Sequence, residues 1–148
     1  MRRGPLRPNA PIGGSAVSVP DMAKTMQRIR VFILDDESHA RLGIRVRLRL
    51  EPDIEVIGEP APCAAAIDAA VAAQPDVIVI DLQCIGVDGI AAARALRERV
   101  PGSAIVMLSI HDGECLRAAA ASAGVAAFVA KHQADCALLD AIRRAARP

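Results

Sequence analysis

The sequence predicts an α/β fold: a doubly wound sheet of five parallel strands with helices on both faces. Three observations carry that expectation. Short apolar runs alternate with helical segments along the 148 residues, in a β-α order repeated five times. Four of the five runs are nearly continuous in hydrophobic residues, the pattern of strands covered by helices above and below, not of strands with one face in water. Turn and cap residues fall at the boundaries, among them Pro75, Asp88, Pro101-Gly102 and Gly124.

The first strand is Ile29 to Leu34, and it stops on two adjacent carboxylates, Asp35 and Asp36. The segment that follows is ambiguous, because Ile44-Arg-Val46-Arg-Leu48-Arg-Leu50 alternates with a period of two and in isolation reads as a strand. A helix is nevertheless expected, beginning around Ala40-Arg41-Leu42 after Ser38, since parallel neighbours need a crossover connection. The second strand is Ile54 to Gly58, and Pro75 closes the helix after it. The third strand, Val77 to Ile80, ends on Asp81. Asp88 is placed to cap the third helix and Pro101-Gly102 to end it. The fourth strand, Ala104 to Leu108, leads to Ser109, and Gly124 ends the next helix. The fifth strand, Ala126 to Ala130, leads to Lys131. In the last helix, about Asp135 to Ala146, Leu138, Leu139, Ile142 and Ala145 share one side, with Arg143, Arg144 and Arg147 largely on another.

Composition narrows the function classes. With 53% hydrophobic and 24% charged residues, the chain suits one domain with a sizeable core. Residues 1–28 carry five cationic side chains against Asp21 alone, and their Pro/Gly content predicts a disordered basic extension ahead of a body spanning 29–148. That body holds thirteen cationic residues against sixteen acidic ones, the wrong balance for direct nucleic-acid binding by this chain. The apolar stretch Ala118 to Ala130 is too short for a bilayer that requires about 20 residues. No secretory signal is legible, so a cytoplasmic location with no membrane contact is expected. Cys63, Cys84, Cys115 and Cys136 lack metal-ligand spacing and read as packing residues; Cys84, three after Asp81, is the one placed to react.

In doubly wound sheets ligands bind outside the carboxyl ends of the strands. Asp35, Asp36, Asp81, Ser109 and Lys131 all fall there. Carboxylates on neighbouring strands about 5 Å apart repel by about 3 kcal/mol at an effective dielectric near 20. Such a rim calls for a cation or a phosphoryl group.

These residues, in this order, resemble the receiver domain of two-component response regulators, and the resemblance covers Ile29 to about Ala146. Asp36-Glu-Ser-His-Ala-Arg41-Leu-Gly43, Glu51-Pro-Asp-Ile-Glu-Val-Ile-Gly-Glu59 and Ala123-Gly-Val-Ala-Ala-Phe128-Val-Ala-Lys131 look most like the NarL/LuxR-type receivers. The resemblance implies a flavodoxin-like, CheY-like strand order of 2-1-3-4-5. It implies that Asp81 is the phosphoacceptor, served by a sensor histidine kinase or a phosphotransfer protein. Mg²⁺ would be held by Asp36, Asp81 and the backbone carbonyl of Gln83, with Asp35 acting mostly through water. Lys131 and Ser109 would contact the phosphoryl group, and Phe128 would be the aromatic switch that alters binding of a downstream protein target. The resemblance implies a phosphoacceptor signalling protein, not an enzyme with a separate substrate, on a fold that allows homodimerisation through the last helices.

Three features depart from the family pattern. The loop Asp81-Leu-Gln-Cys-Ile85-Gly lacks the usual proline, Ile110 replaces a small residue after Ser109, and Arg47 stands at a customarily apolar helix position. His111, two residues after Ser109, reads first as a plain exposed histidine and second as a residue placed to influence acyl-phosphate hydrolysis. Because the sequence ends at Pro148, a stand-alone receiver is the expectation. The alternatives are a receiver fragment of a DNA-binding transcriptional regulator and a phosphorylation-independent interaction module on the same fold. A nucleotide-binding enzyme is disfavoured, because no Gly-rich phosphate loop follows the first strand.

Overall fold

Apolar runs and crossover helices alternate as the sequence predicts in the computed structural model, which describes residues 27–59, 63–83 and 88–147. The strands are β1 (Ile29–Leu34), β2 (Ile54–Gly58), β3 (Val77–Asp81), β4 (Ala104–Ser109) and β5 (Ala127–Ala130). The helices are α1 (Ser38–Arg49), α2 (Cys63–Ala73), α3 (Gly89–Arg99), α4 (Glu114–Ser122) and α5 (Ala134–Ala145). All pairings are parallel, in the order β2-β1-β3-β4-β5.

Because side chains alternate across a strand, the nearly continuous apolar runs feed two cores. Phe32, Leu34, Ile78, Ile80, Ile105 and Met107 pack with Ala66, Ala93, Leu96 and Ala120 of α2, α3 and α4. Val31, Ile33, Val77, Val79, Val106 and Leu108 pack on the other face with Leu48 of α1 and Leu138, Leu139 and Ile142 of α5.

The period-two segment is helical. A helix turns 100° per residue, so Ile44 and Leu48 fall together against the sheet while Leu42, Val46 and Leu50 emerge on the far side. Those three are 45%, 52% and 71% exposed. The cap is Glu37 and not Ser38: its carboxylate accepts hydrogen bonds from the His39 and Ala40 amides, which holds it below the usual glutamate range. Three arginines of this segment are used within the chain. Arg41 donates to the Asp35 carbonyl at 2.7 Å, Arg45 pairs with Glu59, and Arg47 lies 3.5 Å from Glu51.

Several boundaries shift. Asp81 and Ser109 are the last residues of their strands, not the first after them, and β5 starts one residue late. Gln74, at φ 47°, ends α2 ahead of Pro75. Gly124, at φ 89°, terminates α4 as expected. A 3₁₀ turn, Lys131–Gln133, separates β5 from α5. Arg143, on a different side of α5 from Leu138 and Leu139, is tied within the chain. Its guanidinium donates to both Asp53 oxygens at 2.8 and 2.9 Å and to Glu51 at 2.7 Å, clamping α5 to the turn before β2. The bond to Arg143 holds the Asp53 carboxyl below its ordinary range. The expectation of a disordered extension over 1–28 falls almost wholly on residues 1–26, outside the described residues, as do Cys84 and the rest of the loop 84–87.

Candidate functional site

Four of the chemistry-bearing residues meet at the carboxyl edge of the sheet because β1, β3, β4 and β5 are parallel and in register there. Leu34 pairs with Ile80, so Asp35 and Asp81 follow on adjacent strands; Asp81 pairs with Leu108, and Ser109 with Ala130. Asp35, Asp81 and Ser109 are buried, and Lys131 is half-buried.

The Lys131 ammonium lies between two carboxylates, 3.3 Å from Asp35 Oδ2 and 3.2 Å from Asp81 Oδ2. The repulsion anticipated on the rim is therefore offset in part by the protein's own cation. Each acid is also anchored through its other oxygen by the amide two residues on, Glu37 to Asp35 Oδ1 at 2.9 Å and Gln83 to Asp81 Oδ1 at 3.2 Å.

Burial works to lower the Lys131 pKa, but the Asp81 and Asp35 charges outweigh it and the ammonium is held above its ordinary range. For Asp35 burial wins. Desolvation raises its pKa despite the Glu37 amide and Lys131, with the Asp81 charge adding to the rise. A carboxyl raised in the fold binds its proton more tightly folded than unfolded. Its favourable contribution is thus complete below the ordinary value of 3.8 and is lost as pH climbs through the folded pKa. Asp35→Asn, which leaves Lys131 its Asp81 partner, is accordingly expected to raise stability near pH 7, read as a higher melting temperature. The gain should vanish below pH 3.8. Thermal unfolding at pH 7 and pH 3 checks both signs.

Ser109 is fully buried, and its Oγ accepts a hydrogen bond from the His111 amide at 3.0 Å, leaving its own proton to donate. Asp36 is half-buried beside Asp35, and Gln83 is exposed in the turn after Asp81. Among the described residues, no three Asp, Glu, His or Cys side chains are gathered at metal-ligand spacing. Phe128 pairs with Met107 across β4 and β5 and is half-buried on the sheet face that α4 covers, the face shared by Met107 and Ser109.

Two contributors went unread in the sequence. Glu37 orients Asp35 through its amide while capping α1 through its carboxylate; the signal available was an acid three positions ahead of Ala40, where helix starts recruit acceptors. Gly89 opens α3 against the residue after Asp81, donating its N–H to the Leu82 carbonyl at 3.2 Å. A bare Asp-Gly pair carries no sign of so close an approach.

Comparison with known proteins gives the family and the fold. The family model described as response regulator receiver domain matches residues 31–143. The transcriptional regulatory protein LiaR of Bacillus subtilis is 36% identical over 120 residues, covering 80% of this chain and 56% of LiaR. The response regulator protein VraR of Staphylococcus aureus is 35% identical over 121 residues, covering 80% of this chain and 57% of VraR. The chain thus spans about half the length of the curated relatives it matches. Among solved structures, the signal receiver domain of NarL from Mycobacterium tuberculosis superposes with a TM-score of 0.70 at 30% identity, covering 79% of this chain and 98% of that one. The response regulator domain of Thermotoga maritima CheB gives 0.74 at 25% identity, covering 82% and 99%.

Proposed function

The chain belongs to the response regulator receiver domain family, and from that premise we propose that it accepts a phosphoryl group on Asp81 and thereby switches its binding to another protein. One observation carries the reading: the Lys131 ammonium joins Asp35 to Asp81 at the carboxyl edge of the sheet, one strand from the buried Ser109 hydroxyl.

In the transfer, an Asp81 carboxylate oxygen attacks phosphorus. The phosphorus–nitrogen bond of a phosphohistidine on a sensor histidine kinase or phosphotransfer protein breaks, and its electron pair leaves with the imidazole. Lys131, already 3.2 Å from Asp81 Oδ2, is close enough to pair with a phosphoryl oxygen. Ser109, whose hydroxyl proton is not used in the bond from His111, donates to another. Repositioning Ser109 is then felt by Phe128 on the same sheet face.

The donors present suit Mg²⁺, which binds through one or two carboxylates and retained waters and does not demand a cage of acidic side chains. Asp36, Asp81 and the Gln83 carbonyl would hold it, with Asp35 through water, and the ion would neutralise charge on the phosphoryl oxygens. Incubation with Mg²⁺ and acetyl phosphate is expected to add the mass of one phosphoryl group. No adduct, or an equal yield in excess chelator, overturns the assignment.

Lys131→Ala is expected to retain the fold while uncoupling phosphorylation from partner binding, by about tenfold or more in the affinity ratio of modified to unmodified protein. An unchanged ratio would remove Lys131 from the switch. No helix among the described residues is long and apolar enough to cross a membrane, and the proposed location is the cytoplasm. A receiver portion of a DNA-binding regulator is the second reading, favoured by relatives of which the match covers 56% and 57%. Sizing the native gene product by immunoblot separates it from a stand-alone switch.

A further inference from the structure

We propose that Arg117 is a positioning residue for the Phe128 switch, a clamp on α4 that holds the ring in its half-buried place and opposes its movement toward Ser109. The inference rests on the phosphoacceptor reading above and adds to it what sets the resting balance of the switch.

Three contacts converge on one guanidinium. Arg117 Cζ lies over the Phe128 ring, 4.9 Å from its centroid, within reach for a cation–π attraction. Its Nε and Nη2 donate to both oxygens of Asp112, at 2.6 and 3.1 Å, a bidentate pairing that fixes the plane of the fork. Its Nη1 reaches the Phe128 carbonyl at 3.4 Å. The bond to Arg117 lowers the Asp112 pKa, so the clamp is fully charged at neutral pH.

The placement of the two anchoring residues gives the clamp its leverage. Asp112 lies in the loop between Ser109 and α4, three residues beyond the hydroxyl, and Arg117 sits on the first turns of α4. Ser109 Oγ is tied to the same loop through the His111 amide. Any shift of Ser109 toward Asp81 pulls on residues 110–112. That pull moves Asp112 relative to Arg117, and the ring can leave its place only by giving up the guanidinium above it. The loop, α4 and β5 therefore change together, which is the requirement for an element biased from a distant site. Each contact is exposed and worth less than a tenfold change in an equilibrium by itself. Together they are expected to shift the balance by about three- to tenfold.

Phe32 and Phe128 are the two phenylalanines of the chain, and Phe32 is buried at 3% exposure, so 4-fluorophenylalanine supplies one reference and one reporter signal. In ¹⁹F NMR of the full chain, Arg117→Met without additives is expected to move the Phe128 signal toward the position reached by the unsubstituted protein with Mg²⁺ and beryllofluoride. Adduct formation from acetyl phosphate should accelerate about three- to tenfold. Asp112→Asn should act in the same direction and more weakly, and Arg117→Lys, which keeps the charge but not the fork, should fall between. Both positions are exposed, and unchanged thermal unfolding is the control for a structural effect. If the unsubstituted protein is modified but Arg117→Met leaves signal and rate unchanged, or slows the rate, the clamp is refuted and the phosphoacceptor assignment stands. If the unsubstituted protein takes up no phosphoryl group, both fall together.

Discussion

Asp81→Asn is expected to abolish the phosphoryl adduct formed with Mg²⁺ and acetyl phosphate, lowering the yield below detection in intact-mass measurement. The reason is local. Oδ2 of Asp81 is the oxygen that faces the Lys131 ammonium at 3.2 Å, and an amide in its place supplies no anionic nucleophile. The substitution is nearly isosteric. Its Oδ1 can still accept the Gln83 amide, now at 3.2 Å, and Lys131 keeps Asp35 as a partner. The variant should therefore melt within a few degrees of the unsubstituted protein, so loss of the adduct reports chemistry and not unfolding. A phosphoryl group that survives the substitution would place the acceptor elsewhere and favour a module that works without phosphorylation of Asp81.

Gly89→Ala should produce the largest loss of stability. A Cβ built on Gly89 would stand 2.6 Å from both the Leu82 Cα and the Leu82 carbonyl oxygen, and 2.9 Å from the carbonyl carbon. These are backbone atoms that cannot rotate aside, so either α3 or the loop after Asp81 must move. Overpacking of this kind costs about 1–3 kcal/mol, a melting decrease of roughly 4–12 °C for a domain of this size. The sign is diagnostic, because Gly→Ala in an uncrowded helical site stabilises by about 0.4–1 kcal/mol. Since Leu82 adjoins Asp81, the proposed acceptor, phosphorylation should also slow. Thermal unfolding at or above that of the unsubstituted protein would show that the helix start tolerates the methyl.

The strands were readable because burial on both faces leaves a one-dimensional trace: Val77-Ile-Val-Ile and Ile105-Val-Met-Leu offer no polar face, and only a sheet wrapped by helices accommodates that. The α1 segment was harder, because its period of two is a strand signal locally. It folds as a helix because β1 and β2 are parallel neighbours that need a crossover, and the cost is visible in the exposed Leu42, Val46 and Leu50. The partners of Arg143 were unreadable for a related reason. Helical spacing puts it beside Arg144, but its guanidinium finds Asp53 and Glu51, some ninety residues earlier in the chain.

Local order along the chain was enough to establish the strand-end acids, the hydroxyl and the lysine, since each follows an apolar run whose direction is set by parallel topology. Pairing among them was not contained in that order. Whether Lys131 faces solvent or bridges Asp35 and Asp81 depends on distances across four strands, β1, β3, β4 and β5, and whether Arg117 lies over Phe128 depends on how α4 rests against β5. Burial patterns are written residue by residue because each side chain meets water or core individually. Charge pairing is a property of two or more groups brought together from distant positions, and it acquires a definite value when packing sets their separation and removes the water between them.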